Sequence, residues 1–101
     1  MKLEALHIYQ MAMKLGDAVW SLADSWRYFV KDTIGKQLIR SADSVAANIA
    51  EGYGRYHYKE NLNFCFYARG SLKETSTWLA KAQNRNLISL EKFTELSQLC
   101  E

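Results

Sequence analysis

The chain has 101 residues, of which 49% are apolar and 13% are aromatic, and its formal net charge is +2. This length suits one domain with one core, and the apolar content excludes an intrinsically disordered chain. Proline is absent and glycine occurs only five times, so we expect long helices with few interruptions.

The sequence predicts neither a secretory leader nor a membrane anchor. Its N-terminus lacks the charged-then-apolar order of a signal peptide, and no apolar run approaches the ~20 residues that cross a bilayer. Cys65 and Cys100 lie far apart without CxxC spacing, so we expect both to be reduced, mostly buried thiols. Together these features predict a cytoplasmic protein.

The first predicted helix runs from about Glu4 to Ser25. Apolar side chains recur there at spacings of three and four, which is typical of a helix face in a bundle: Ile8, Met11, Leu15, Ala18 and Leu22. Val19, Trp20 and Trp26 broaden this face, so the helix is expected to contact two neighbours.

The pattern breaks between Ser25 and Lys31, and a second helix is predicted from about Thr33 to Glu51. Asp32 or Thr33 can cap its N-terminus. Its expected inward face consists of Ile34, Leu38, Ala42, Val45 and Ile49. The glycines of Gly52-Tyr53-Gly54 can end the helix and turn the chain.

The third helix is predicted from Tyr58 to Asn84. Its expected inward side chains are Leu62, Cys65, Leu72 and Leu79, flanked by Phe66, Ala68, Trp78 and Ala82. Asn86 can adopt the left-handed conformation after it, and Ser89 can cap a short fourth helix that carries Phe93, Leu96 and Cys100. Because short connections make neighbouring helices antiparallel, we predict an all-α, antiparallel up-down-up-down four-helix bundle forming a single domain over residues 1–101.

Catalytic and metal sites have little support in this sequence. A di-metal bundle site needs two Glu-x-x-His pairs, and only Glu4 to His7 forms one. The other histidine, His57, falls at a predicted turn, and no Ser or Cys lies in an evident nucleophile arrangement with it. Gly52-Tyr53-Gly54 follows a helix and lacks the phosphate-loop pattern. We therefore expect no enzyme activity, metal, cofactor or small-molecule substrate.

A polar stripe follows one face of the second helix at spacings of four and three: Gln37, Ser41, Ser44, Asn48, Glu51 and Arg55. Solvated faces usually carry long Lys and Glu chains, whereas this stripe is largely small or amide. The third helix adds Arg69 at an inward position, where it would need a carboxylate or several hydrogen-bond acceptors. We predict a partly buried structural network of Ser44, Asn48, Glu51, Arg69, Ser71 and Glu74. A solvated face and a ligand site are the alternatives.

Basic charge is concentrated in the middle of the chain, where residues 27–59 carry +3 and the remainder carries −1. Three tyrosines alternate there with basic side chains, and aromatic rings can stack on unpaired bases while Arg and Lys bind phosphates. The predicted RNA-binding residues are Lys36, Arg40, Tyr53, Arg55, Tyr56, Tyr58 and Lys59. The alternative is that the tyrosines only cover an end of the bundle.

Two motifs resemble those of the four-helix-bundle family named for the 23S rRNA intervening sequence. They are Ser44–Arg55, with Asn-Ile-Ala-Glu-Gly at 48–52, and Ala68–Glu74, with Ala-Arg-Gly-Ser at 68–71. The resemblance implies an antiparallel bundle that assembles into a ring, typically a pentamer, without known catalytic activity. A related branch, the accessory proteins of diversity-generating retroelements, implies RNA and a reverse transcriptase as partners.

Two functional hypotheses follow from these features. The leading one is a non-enzymatic homo-oligomeric adaptor, expected as a pentamer, that binds RNA together with a protein partner such as a reverse transcriptase. The competing one is a protein-only assembly module, which uses the polar stripe and the aromatic surface for self-association or for a protein partner.

Overall fold

The computed structural model describes residues 2–100; Met1 and Glu101, the ends of the predicted 1–101 domain, lie outside the described residues. A 3₁₀ turn at Leu3–Ala5 precedes helix α1, His7–Asp24. Helix α2 starts as Tyr28–Val30, passes through a π-helical turn at Lys31–Gly35 and continues as Lys36–Tyr53. Helices α3 and α4 are Tyr58–Asn84 and Leu90–Leu99. The described residues contain no strand, which confirms the predicted all-α fold.

The four helices pack in a cycle around one core. Helix α2 packs against α1 and α3, and α4 closes the cycle between α3 and α1. Every helix contributes a fully buried leucine to this core: Leu15, Leu38, Leu79 and Leu96. These residues fall on the apolar faces that the spacing of three and four predicts, so hydrophobic burial is the main force that holds the bundle together.

A close approach of α2 and α3 forms the hairpin at one end of the bundle. Gly52 is buried there, and a Cβ at this position would lie 2.9 Å from the Cβ of Phe64. The Asn61 amide donates to the Gly52 carbonyl at 2.7 Å. The glycine at the end of the Asn-Ile-Ala-Glu-Gly motif is therefore required by helix packing.

The connection between α3 and α4 confirms two local predictions. Asn86 has a φ of 61°, and the amide of Leu87 donates to the carbonyl of Ala82 at 2.9 Å, as in a Schellman motif. Ser89 caps α4 by accepting a hydrogen bond from the Lys92 amide at 3.0 Å.

The predicted start of the second helix is wrong. Asp32 and Thr33 lie inside helical structure, and α2 begins five residues before Thr33, at Tyr28. The Thr33 hydroxyl donates back to the Phe29 carbonyl at 2.8 Å, so it is unavailable as a cap. Burial of Val30 explains the earlier start, because the core gains an apolar side chain only if the helix extends back to it.

The prediction that both cysteines are mostly buried is wrong for Cys65, whereas Cys100 is partly buried and packs against the core. Cys65 is exposed and Cys100 is half-buried, and neither forms a disulfide within the described residues. The cause is the length of α4: its ten residues rise about 15 Å, whereas the 27 residues of α3 rise about 40 Å. The N-terminal half of α3, which carries Cys65, is consequently not covered by a fourth helix.

Candidate functional site

The buried part of the polar stripe is a contact between two hydroxyl groups. Ser41 and Thr75 are fully buried, and their Oγ and Oγ1 atoms lie 3.0 Å apart across the α2–α3 interface. The Ser41 hydroxyl donates to the Leu38 carbonyl at 3.1 Å. The single proton of the Thr75 hydroxyl has two acceptors within reach, the Ser41 hydroxyl and the Ser71 carbonyl, the latter at 2.8 Å. Thr75 is absent from the predicted network. The sequence did contain a signal for this contact, since α2 and α3 each carry a hydroxyl side chain at an inward position.

The other predicted network residues make mostly local contacts. The Ser44 hydroxyl donates to the Arg40 carbonyl at 2.7 Å, and the Asn48 amide to the Ser44 carbonyl at 2.9 Å, both within α2. Glu74 bridges the two helices, because it pairs with Arg40 and accepts a hydrogen bond from the Trp78 indole. The network is therefore a set of helix-internal bonds with one exposed ion pair across the α2–α3 interface.

The predicted burial of Arg69 is wrong. Its side chain is exposed and forms no ion pair with any residue between 2 and 100. The physical reason is that it extends from the part of α3 that α4 does not cover. Arg69 is therefore a cation at the surface and does not fix the packing of the helices.

Part of the predicted RNA surface comes together at the turn between α2 and α3. Tyr56 is 94% exposed and its ring contacts His57 edge-on at 5.3 Å, while Tyr58 and Lys59 are also exposed. Arg55, in contrast, is already engaged. Its guanidinium pairs with Glu51 at 3.0 Å and lies 4.8 Å from the centre of the Phe64 ring.

Lys36 and Arg40 do not join the turn. Lys36 and Tyr53 are the first and last residues of an 18-residue stretch of α2, about 26 Å apart along its axis. Lys36 lies 3.8 Å from the Asp32 carboxylate, and Arg40 pairs with Glu74. The seven predicted RNA-binding residues thus divide into two groups. Five lie at the turn between α2 and α3, which we call the tyrosine-rich turn: Tyr53, Arg55, Tyr56, Tyr58 and Lys59. The other two, Lys36 and Arg40, are distant, ion-paired cations.

An apolar depression of about 340 Å³ occupies the open end of the bundle. We call it the open trough and define it by Ile8 and Met11 of α1, Val45 and Ile49 of α2, and Cys65 and Leu72 of α3. Leu99, at the end of α4, closes one side of it. Sequence reasoning placed several of these residues in the core, but it did not identify a depression.

A second groove lies between α1 and α2 and contains two carboxylates. Asp43 extends over Gly16, where a Cβ would lie 2.7 Å from its Oδ1 atom. Partial burial, and secondly the nearby charge of Asp17, raise the pKa of the Asp43 carboxyl. Neither carboxylate has an ion pair within the described part of the chain. The folded protein therefore stabilises the charged form of Asp43 less than water does.

The remaining chemical signals are weak within residues 2–100. No group of three or more His, Cys, Asp or Glu side chains is placed to hold a metal ion. None of the helices in this range combines the length and the apolarity needed to cross a membrane. The surfaces with distinctive chemistry are the tyrosine-rich turn and the open trough.

The fold and these surfaces define an all-helical bundle module. The chain belongs to the family of 23S rRNA-intervening sequence proteins, because the model of that family matches residues 4–101; the resemblance in the two motifs is thereby confirmed. A solved structure of a protein of unknown function from the S23 ribosomal protein family of Bacteroides thetaiotaomicron is also similar, with 19% identity and a TM-score of 0.83. The match covers 92% of this chain and 87% of that one, and at this identity it shows the fold alone. No curated protein matches the chain.

Proposed function

We propose that this protein is a non-enzymatic assembly module that forms a homo-oligomer. The observation that carries the proposal is the exposure of large aromatic side chains near both ends of the bundle. Trp20 and Phe29, which are 57% and 67% exposed, lie toward the end where α1 finishes and α2 begins. Tyr53 and Tyr67 are exposed toward the opposite end, where Tyr67 contacts Phe64 edge-on at 5.5 Å.

Two separate aromatic surfaces suit a closed ring. A head-to-tail contact joins two different surfaces of identical subunits, and it generates a ring when the rotation between subunits closes. Aromatic side chains contribute strongly to interfaces because each can bury a large area. The pentamer implied by the family resemblance is the assembly that we propose for this chain.

The oligomeric state of the purified chain tests this proposal. We expect light scattering coupled to size exclusion to give one discrete oligomer for the unmodified protein. Phe29→Ser and Tyr67→Ser should each shift the population toward the monomer, because each removes an exposed ring from one of the two surfaces. Lys81→Ala, an exposed change elsewhere on α3, serves as the control and should leave the mass unchanged. A monomer at all concentrations would contradict the proposal.

RNA binding at the tyrosine-rich turn is a second candidate function, favoured by the almost complete exposure of Tyr56 beside Lys59. Such a site would stack unpaired bases on the rings, worth ~1–3 kcal/mol for each base, and bind phosphates through Lys59 and Arg55. The ion pair of Arg55 with Glu51 is solvent-exposed and is therefore easily exchanged for a phosphate contact. A reverse transcriptase or another protein partner stays a prediction from the family resemblance.

Fluorescence anisotropy with a pool of single-stranded RNA tests this second candidate. Combining Tyr56→Ala with Lys59→Ala should weaken binding about tenfold or more, and the dependence of affinity on salt should become shallower by about one charge. Lys36→Ala removes the same charge at a distant, ion-paired position and is the matched control. Equal effects of Lys36→Ala and Lys59→Ala would exclude the turn as the binding site.

A further inference from the structure

The groove between α1 and α2, which we call the α1–α2 groove, is apolar except at the end where Asp17 and Asp43 lie. Its volume is about 310 Å³, and much of its lining consists of small residues: Ala12, Gly16, Ala46, Ala47 and Ala50. Tyr9 and Met13 line it as well, and Met13 is 45% exposed. Because small side chains set a short distance between packed helices, another helix can approach this groove closely.

The two ends of the α1–α2 groove differ in chemistry. Asp43 lies over Gly16, and α1 and α2 are antiparallel, so Ala50 lies toward Tyr9 at the opposite, apolar end. The distance from Asp43 to Ala50 along α2 is about 10 Å. No Lys or Arg lines the groove, and neither carboxylate forms an ion pair within residues 2–100.

The outer side of α3 carries a surface that complements this groove. Phe66, Gly70 and Lys73 follow one another at spacings of four and three, on the side of the helix opposite to the buried Ala68 and Thr75. Because they point away from the core, their exposure does not depend on the length of a neighbouring helix. Phe66 is 56% exposed, and Lys73 has no ion pair among the described residues.

Gly70 has no structural role within the subunit. Its φ is not positive, and a Cβ at this position would meet no atom within 4 Å. A glycine in the interior of a helix is less favourable than alanine, so the isolated helix would be more stable without it. A glycine on an exposed face does, however, allow a second molecule to come close to the backbone.

We propose that the outer side of α3 packs into the α1–α2 groove of a second copy of this chain, with Lys73 between Asp17 and Asp43. The inference rests on the proposed self-assembly and assigns the contact that holds it together. Phe66 and Lys73 are separated by the same seven residues, about 10 Å, as Ala50 and Asp43. When Lys73 reaches the carboxylates, the Phe66 ring therefore lies at the apolar end of the groove.

The charges favour a copy of this chain as the occupant. Partial burial, and secondly the charge of Asp17, raise the pKa of the Asp43 carboxyl. An ammonium group between the two carboxylates would reduce their repulsion, and the chain itself supplies one at the required distance from an exposed ring. Opposite charges on the two surfaces also fix how they align.

The contact is compatible with a ring, because it joins two different surfaces of identical subunits. It also adjoins both aromatic surfaces of the proposed assembly. Asp17 and Trp20 are three residues apart on α1 and share one side of it, while Phe66 precedes Tyr67 on α3. The aromatic side chains would thus extend the interface on either side of the ion pair.

Charge reversal followed by light scattering coupled to size exclusion tests the contact. Asp17→Lys and Lys73→Glu each place like charges together, so each should weaken association about tenfold or more. The double variant restores opposite charges in exchanged positions and should recover most of the association. Lys81→Glu makes the same charge change about 12 Å farther along α3 and should leave association unchanged. All three positions are exposed, and circular dichroism checks the fold of each variant.

Cross-linking provides a second measurement that does not depend on charge. In a Cys65→Ser, Cys100→Ser background, Ala47→Cys is combined with Gly70→Cys and the protein is oxidised with diamide. We expect disulfides between subunits, seen as a ladder on a non-reducing gel. Ala47→Cys combined with Lys81→Cys is the matched control and should give at least tenfold less of the cross-linked product.

The outcomes separate this inference from the proposed function. A discrete oligomer that is insensitive to both charge reversals, or a double variant no better than the single ones, would overturn the contact and leave self-assembly standing. Equal cross-linking of the Gly70→Cys and Lys81→Cys proteins would do the same. A monomer at all concentrations would overturn both the contact and the proposed function.

Discussion

The Gly52→Ala variant is expected to lose about 1–3 kcal/mol of unfolding free energy. The added methyl group would lie 2.9 Å from the Phe64 Cβ and 3.3 Å from the Asn61 carbonyl oxygen. Both atoms are at or next to the backbone of α3, so they cannot move without separating α3 from α2. The separation would also strain the hydrogen bond from the Asn61 amide to the Gly52 carbonyl. Urea unfolding followed by circular dichroism measures the loss.

Gly70→Ala is the matched control for this prediction. A Cβ at Gly70 would meet no atom within 4 Å, and the residue lies in the interior of α3. Alanine is there expected to stabilise the helix by about 1 kcal/mol, since glycine is the poorer helix former. If both variants changed the unfolding free energy in the same direction, the tight contact at Gly52 would not control stability.

Thr75→Val is expected to cost about 1–2 kcal/mol. Valine keeps the shape of threonine but removes the hydroxyl that contacts Ser41 in the α2–α3 interface, where both side chains are fully buried. The Ser41 hydroxyl would then face an apolar methyl group. Thr77→Val makes the same chemical change at an exposed position of α3, and it should alter stability by less than about 0.5 kcal/mol.

A double-mutant cycle separates this contact from the general effect of each substitution. In a Ser41→Ala background no hydroxyl of α2 is left without its partner, so the cost of Thr75→Val should become smaller. The unfolding free energies of the four proteins give the coupling energy. A coupling energy of zero would show that the two hydroxyl groups act independently.

Local chemistry made parts of the fold predictable from the sequence. The ends of α3 agree with the prediction at Tyr58 and Asn84. Asn86 and Ser89 behave as expected because a left-handed residue and a cap depend on a few neighbouring atoms. The start of α2 was not predictable in this way, since the capping preference of Asp32 competes with burial of Val30 by distant parts of the chain.

The exposure of Cys65 and Arg69 was less predictable, because it depends on the length of another helix, α4. The spacing along α3 correctly places Cys65 and Arg69 on the side that faces the core. Whether these positions are buried depends on α4, which ends before it reaches them. The pattern within α3 contains no information about that length. The spacing of Asp32 to Lys36 and of Glu51 to Arg55, in contrast, already indicated the ion pairs that engage two of the predicted RNA-binding cations.

The π-helical turn at Lys31–Gly35 sets the rotational phase of the start of α2. Eight residues of regular α-helix turn through about 800°, which would leave Val30 about 80° away from the direction of Leu38. The wider turn absorbs roughly one residue, so Val30 and Leu38 both face the core, at 6% and 0% exposure. The same rotation directs Tyr28 and Phe29 outward. One residue of extra backbone therefore decides which aromatic rings this end of the bundle presents at its surface.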